Sequence, residues 1–168
     1  MQNSCYTLTF ILSQMSKLKN LIAGLAGAVA LNILHETLKK QSPNRPRIDL
    51  LGEDALQKTL GYFGTQIESR DHLYKATLAG DIVSNSLYYS LIGSNKAKYL
   101  WPKVVVMGLS AGIGAITLPK PMGLDETPVT KNNEVRVLTV AYYLVGAIVT
   151  GTVLELLRKT SPSVIAVK

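Results

Sequence analysis

Residues 137–154 read VLTVAYYLVGAIVTGTVL, a run of 18 residues without a charged side chain. Arg136 precedes the run and Glu155 follows it, so charges close both ends. Crossing about 30 Å of hydrocarbon takes roughly 20 predominantly apolar residues, because an α-helix rises about 1.5 Å per residue. The run therefore predicts a membrane-crossing helix at about residues 135–157.

Three other segments repeat this pattern more weakly, at about residues 18–38, 72–93 and 99–118. The first has an uncharged core of only residues 20–35, so the lysines at both of its ends must extend toward the headgroups. The second is the least hydrophobic and carries Asp81. It can cross a bilayer only if protein shields one of its faces.

The fold predicted from these segments is an all-α integral membrane bundle of four transmembrane helices. Between the first two, residues 48–63 place apolar side chains at spacings of three and four, which predicts an interfacial amphipathic helix with Asp49 as its N-cap. Residues 17–160 then form a single domain. We expect residues 1–16 to be a poorly ordered extension and residues 161–168 to be a C-terminal tail.

The N-terminal region leaves a second interpretation open. A signal peptide that begins at Met15 and is cleaved near residues 28–30 would also explain the first apolar segment. The helical pattern continues through that triplet to Lys40, which favours a retained helix. Met15 would also be a natural start, so residues 1–14 are not assigned a function.

The distribution of basic residues predicts an orientation. With four crossings, both termini and the 94–98 turn share one side, which carries eight basic residues and one acidic residue. The other side carries ten of each. Because an excess of Lys and Arg marks cytoplasmic loops, we expect both termini in the cytoplasm, in a bacterial inner membrane.

Composition excludes several other classes. The net charge of +7 is not arranged as a basic stripe with interleaved aromatic residues, so nucleic acid is not an expected partner. One cysteine, Cys5, and two histidines, His35 and His72, show no metal-ligand spacing, so neither a metal nor another cofactor is predicted. The expected partners are the lipid bilayer and either other membrane chains or further copies of this chain.

Polar residues recur on one face of the second span. At about 1.5 Å per residue, Asn32 of the first span lies level with Asp81, and His35 lies one turn further out. The predicted intramembrane cluster consists of Asn32, His35, Asp81, Ser84, Asn85 and Tyr88. Three interpretations remain open: a structural network between helices, a proton or cation relay through Asp81 and His35, and a site acting on a lipid with one of those two residues as general base.

Small residues spaced four apart predict close helix packing on three of the spans. The predicted packing positions are Gly24, Ala28, Gly108, Gly112, Gly146 and Thr150.

The function that the sequence favours is that of a small non-enzymatic membrane protein, either an accessory or structural subunit of a membrane assembly or a self-associating bundle. The alternative is a small transporter or channel with a relay through Asp81 and His35. A membrane-embedded enzyme acting on a lipid is the third hypothesis, because no second carboxylate or nucleophile accompanies Asp81.

Overall fold

The computed structural model describes residues 2–93 and 96–160, with side chains from Met15 onward. The described residues form helices and no strand, which confirms the all-α prediction. The helices are α1 (Gln2–Leu38), α2 (Ile48–Tyr62), α3 (Arg70–Ser90), α4 (Leu100–Thr117), α5 (Thr127–Thr130) and α6 (Asn133–Lys159), with a 3-10 turn at Ala97–Tyr99. Residues 161–168, predicted as a C-terminal tail, lie outside the described residues, as does part of the predicted 94–98 turn.

The predicted bounds of α2, α3, α4 and α6 agree with the structure to within three residues at each end. The start of α1 differs, because the helix begins at Gln2 rather than near residue 18. Its backbone is continuous through the segment for which a poorly ordered extension was predicted. Residues 2–23 contain neither Gly nor Pro, so nothing in this segment interrupts a helix.

Side-chain caps fix two of the helix starts. The Ser69 hydroxyl accepts a hydrogen bond from the His72 N–H at 3.4 Å, and the Asn132 side chain accepts one from the Val135 N–H at 2.9 Å. The prediction that Asp49 caps α2 was wrong. Arg47 is the N-cap residue, and the Asp49 carboxylate in the first turn forms ion pairs instead.

The four long helices form a bundle in the spatial order α3, α1, α6, α4, and α2 crosses one end, where it contacts α3 and α5. Glycines make the contacts of α1 very close. A Cβ atom on Gly24 would overlap the Ser86 carbonyl oxygen of α3, and one on Gly27 would overlap the Gly146 carbonyl oxygen of α6. These backbones therefore touch without intervening side chains, as in other helix pairs packed through small residues.

The contact between α4 and α6 is built in the same way. A Cβ atom on Gly108 would lie 3.1 Å from the Leu144 Cα, and one on Gly112 would lie 2.6 Å from the Val140 Cα. Gly146 also borders Tyr89 of α3, and Ala28 and Thr150 are fully buried. All six predicted packing positions thus lie in the bundle interior, together with Gly27 and Gly151, which were not among them.

Among the described residues, three helical segments are long and apolar enough to cross a membrane: Met15–Leu38, Ala97–Thr117 and Asn133–Lys159. The prediction of four such helices is corrected to three, because α3 does not reach the necessary apolarity. Its polar residues Asp81, Asn85 and Ser86 lower the average, although they do not face outward.

The residues that α3 exposes are more apolar than the helix as a whole. Thr77, Asn85 and Ser86 are buried against neighbouring helices. Between residues 76 and 91 the exposed residues are Ala76, Ala79, Gly80, Val83, Ser84, Leu87 and Leu91. The outer face of this part of α3 is therefore mostly apolar, whereas Thr77, Asn85 and Ser86 face neighbouring helices.

Candidate functional site

Asp81 of α3 lies in the bundle with both carboxylate oxygens hydrogen-bonded to amide groups. Asn32 of α1 donates from Nδ2 to Oδ2 at 3.0 Å, and Asn85, one turn along α3, donates from Nδ2 to Oδ1 at 2.8 Å. None of the ion pairs in the described part of the chain includes Asp81. The carboxylate is therefore held in place by neutral donors and keeps capacity to accept further hydrogen bonds.

Three cavities meet at Asp81. The first is a small cavity of about 20 Å³ between α1, α2 and α3, which has room for about one water molecule. The second, the α3–α4 cleft, has a volume of about 640 Å³. The third, the α2–α3 groove, has a volume of about 280 Å³ and borders Ala76 and Gly80. The Asp81 side chain is thus accessible from several directions although it lies inside the bundle.

The α3–α4 cleft has one polar wall and one apolar wall. Its α3 wall consists of Asp81, Ser84, Asn85 and Tyr88, and its α4 wall consists of Ser110, Ala111, Gly114, Ala115 and Leu118. At its deep end the Tyr88 hydroxyl donates to the Met107 carbonyl oxygen at 3.1 Å, which joins the two helices. The cleft therefore opens from this bond toward the end of the bundle that α2 covers.

Two contacts connect α2 to the loop after α4 and cover that end of the cleft. The Lys58 ammonium donates a hydrogen bond to the Gly123 carbonyl oxygen. The Asp125 N–H donates to the Asp54 carboxylate at 3.0 Å. Leu51 and Ala55 of α2, together with Met122 of the loop, line the cleft beneath these contacts. Its covered end is thus apolar on the inside and polar on the outside.

A charged cluster lies at the same end of the bundle, around Asp49. Arg47 donates to both Asp49 oxygens at 2.9 Å, and the Lys39 ammonium lies 3.2 Å from Oδ2. Lys39 also bonds Glu36 at 2.6 Å, and His35 lies with Nδ1 3.5 Å from Glu36 and Nε2 3.5 Å from Asp49. The cluster joins the C-terminal end of α1 to the start of α2.

The electrostatics of the cluster favour the charged form of Asp49. Burial by itself raises the pKa of the Asp49 carboxyl, but the contact with His35 and the hydrogen bonds from Arg47 and Lys39 outweigh burial and hold that pKa well below its ordinary value. Burial likewise lowers the pKa of Lys39, whereas its hydrogen bonds to Glu36 and Asp49 raise it overall. Both partners of this ion pair therefore remain charged at neutral pH.

The structure divides the predicted intramembrane cluster into two groups. It joins Asn32, Asp81 and Asn85 by hydrogen bonds, and it places Ser84 and Tyr88 on the wall of the cleft. His35 instead borders the Asp49 cluster, and no hydrogen bond connects it to Asp81 in the described structure. The relay geometry predicted for His35 and Asp81 therefore has no direct link between the two side chains.

Sequence reasoning missed the role of Asp49, Lys39 and Arg47. Asp49 was interpreted as a helix cap, and the lysine was counted only as a flanking charge of the first span. One available signal was the segment RPRID at residues 45–49, in which a carboxylate two residues after an arginine opens a helix. The partners on α1 could not be deduced, because they depend on how α2 folds back.

Within the described residues, no group of three or more His, Cys, Asp or Glu side chains is placed to hold a metal ion. Comparisons of the chain with protein-family models, with curated proteins and with solved structures find no match. The function is therefore argued from the geometry of the site alone.

We expect Asp49→Asn to lower the free energy of unfolding by about 2 kcal/mol at pH 7, because it removes the carboxylate that pairs with Arg47 and leaves the buried Lys39 ammonium with Glu36 as its remaining carboxylate partner. Thermal unfolding in detergent measures the change. The control is Asp71→Asn, which removes an exposed carboxylate paired with Lys75 and should cost less than about 1 kcal/mol.

The stabilisation by Asp49 should also depend on pH. Because the folded-state pKa is lowered, the contribution is complete above the unfolded value of about 3.9 and is lost as the pH falls below it. The difference in Tm between wild type and Asp49→Asn should therefore narrow below about pH 4. A difference that stays constant from pH 7 to pH 3 would contradict this assignment.

Proposed function

We propose that this chain is a non-enzymatic membrane protein with four crossing helices that binds an amphipathic molecule in the α3–α4 cleft. The observation that carries the proposal is the cleft itself, whose polar α3 wall faces an apolar α4 wall beside the Asp81 carboxylate. Its volume of about 640 Å³ lies within the range of small-molecule sites, roughly 300–1,000 Å³.

Contacts along the whole of α3 support its role as the fourth crossing helix. Gly93, just after α3, borders Asn20 of α1, Asp81 bonds Asn32, and Tyr74 receives a hydrogen bond from Lys39. α3 thus lies beside α1 over the length of the candidate span. If α1 crosses the bilayer, α3 crosses antiparallel to it, with its apolar face toward lipid.

The basic residues support an orientation for this bundle. The ends of α1, α3, α4 and α6 that lie opposite α2 carry the excess of Lys and Arg, so both termini are cytoplasmic in the proposed topology. α2, the Asp49 cluster and the covered end of the cleft then lie on the outer side, of a bacterial inner membrane in the proposed setting.

Cysteine labelling tests the fourth crossing. In a Cys5→Ser background we expect Thr65→Cys, before α3, to react with an impermeant maleimide in intact cells. Ala97→Cys, after α3, should react only after permeabilisation, because the bilayer separates the two positions. If both cysteines react from the same side, α3 does not cross the membrane. If the pattern is reversed, α3 crosses it in the opposite orientation.

The chemistry of the cleft indicates the kind of molecule that it binds. Asp81 and Asn85 can receive a cationic or hydrogen-bond-donating head group. Ala111, Ala115 and Leu118 provide the apolar surface for a hydrocarbon chain. Long-chain amines and alcohols match both walls, whereas a fatty carboxylate would place a second negative charge beside Asp81.

Filling the cleft tests the binding proposal. We expect Ala111→Trp to weaken binding of dodecylamine to the purified protein by about tenfold or more, a change of ~1.4 kcal/mol, because the indole occupies the space of the hydrocarbon chain. The control is Val106→Trp, on the lipid-facing side of α4, where the side chain is 61% exposed. Titration calorimetry measures both, with dodecanoate as the ligand expected to bind more weakly.

Equal affinity of wild type and Ala111→Trp for dodecylamine would overturn the proposal. If dodecanoate and dodecylamine bind equally well, the cleft still binds amphipathic molecules, but Asp81 does not select their head group.

A second candidate is an accessory subunit or self-associating bundle, and the α2–α3 groove favours it. Ala76 and Gly80 are exposed one turn apart on α3, and a Cβ atom on Gly80 would meet nothing within 4 Å. Together with Leu56 and Thr59 of α2 they border the groove. Small residues at such spacing let a helix of another chain approach closely.

We expect Gly80→Leu to abolish co-purification of a partner chain or of a second tagged copy after mild solubilisation, because the new side chain fills the groove without clashing inside the bundle. The control is Gly61→Leu, the same substitution at an exposed position of α2 outside the groove, where an added Cβ atom would also meet nothing within 4 Å. Mass spectrometry of the eluate gives the stoichiometry, and an unchanged eluate would exclude this surface as the contact.

A further inference from the structure

Apolar and oxygen-bearing residues together line the small cavity of about 20 Å³ beside Asp81. Ile48, Gly52 and Leu78 are the apolar ones, and the residues with side-chain oxygens are Asn32, Glu36, Asp49, Tyr74, Thr77 and Asp81. Carboxylate, amide and hydroxyl oxygens are the ligands that hard cations prefer. The cavity therefore offers ligand chemistry suited to a small cation as well as to water.

The charges around this cavity do not balance. Glu36, Asp49 and Asp81 contribute three formal negative charges, whereas Lys39 and Arg47, which bind Asp49, contribute two positive charges. Counted without His35, one negative charge remains without a counter-charge in this part of the bundle. Such a charge is costly unless a cation or a proton compensates it.

Thr77 provides an independent indication of a ligand. The residue is 8% exposed, it lies on the cavity wall, and its Oγ1 atom is buried without a hydrogen-bond partner among the described residues. Other threonine hydroxyls of the bundle donate to a carbonyl one turn earlier in their own helix, as Thr150 does to Gly146. Because buried hydroxyls are nearly always partnered, the cavity is expected to hold a molecule or ion that contacts Thr77.

We propose that this cavity binds one Na⁺ ion through side-chain oxygens of Asn32 on α1, Asp49 on α2, and Thr77 and Asp81 on α3. The ion supplies the missing positive charge, gives Thr77 Oγ1 a partner and links α1, α2 and α3. A divalent ion would overcompensate the charge, and the described residues contain no set of three carboxylates at metal-binding distance. K⁺ is larger and fits less well into a space for about one water molecule.

The inference goes beyond binding in the α3–α4 cleft and does not depend on it. The two sites share Asp81, but the cation lies on its α2 side and the cleft on its α4 side. The experiment uses no amphiphile, so failure of one proposal leaves the other unaffected.

The test compares the purified full chain in NaCl, KCl and choline chloride at equal ionic strength. We expect Na⁺ to raise Tm saturably by about 3–6 °C over choline, with a smaller effect of K⁺, because a ligand of the native state stabilises it by mass action. Radioactive Na⁺ in a scintillation proximity assay should show saturable binding of one ion per chain.

Thr77→Val tests the site without removing a charge. The valine keeps the methyl group that packs on Gly52, so we expect the protein to fold and its Tm in choline to be equal or higher, because an unpartnered hydroxyl is removed. The Na⁺-dependent rise should be lost. Thr152→Val, which removes an exposed hydroxyl bonded to its own helix, is the control and should keep the rise.

Asp81→Asn should abolish the Na⁺ effect as well. A Thr77→Val protein that is stabilised equally in all salts would show that the hydroxyl is merely unsatisfied, and it would overturn the proposal. Stability that depends on pH but not on Na⁺ would also overturn it, because a bound proton would then compensate the charge.

Discussion

The structure depends on how a carboxylate is accommodated inside a bundle of apolar helices. In the proposed topology, a charged side chain at the centre of α3 would cost about 2.5–3.5 kcal/mol on insertion scales if it faced lipid. Asn32 and Asn85 each donate a hydrogen bond to the Asp81 carboxylate, which turns the polar face of α3 inward and pairs α3 with α1 at a fixed level. This alignment also sets the levels of Thr77, one turn before Asp81 on α3, and of Tyr89, about two turns after it.

The same constraint explains why the bundle is dense in one half and open in the other. On the side of Gly24, Gly27 and Gly108, small residues bring the backbones into contact. Around Asp81 the α3 wall carries polar side chains that gain nothing from packing against Ala111 and Ala115. The helices are joined by the Tyr88 hydroxyl and diverge beyond it, and the α3–α4 cleft is the space that remains.

Much of this fold could be predicted from the sequence, because local signals specify it. The apolar segments and the periodicity of α2 gave helix bounds close to those observed, and the level of Asn32 with Asp81 followed from helical rise alone. The number of helices apolar enough to cross a membrane was not predicted correctly. Average hydropathy ignores which face a residue occupies, and α3 buries Thr77, Asn85 and Ser86 on its inner face.

The Asp49 cluster shows where sequence reasoning stops. His35 and Lys39 are one turn apart on α1, but their carboxylate partner lies on α2, beyond a loop with two prolines. Only the return of α2 across the end of the bundle brings these charges together. An aspartate near the start of a helix can either cap the helix or form an ion pair. The position of Asp49 in the sequence therefore did not decide between these two roles.

The Asp49 cluster and the Asp81 carboxylate both lie in the half of the bundle that α2 covers. The Asp49 cluster fixes the start of α2 to α1, and Lys58 and Asp54 fix its later turns to the loop after α4. α2 therefore closes the end of the bundle from both sides, and the Asp81 carboxylate is approached either beneath α2 or laterally between α3 and α4. Access to Asp81 is thus confined to the half of the bundle that α2 covers, whereas close backbone contacts close the opposite half.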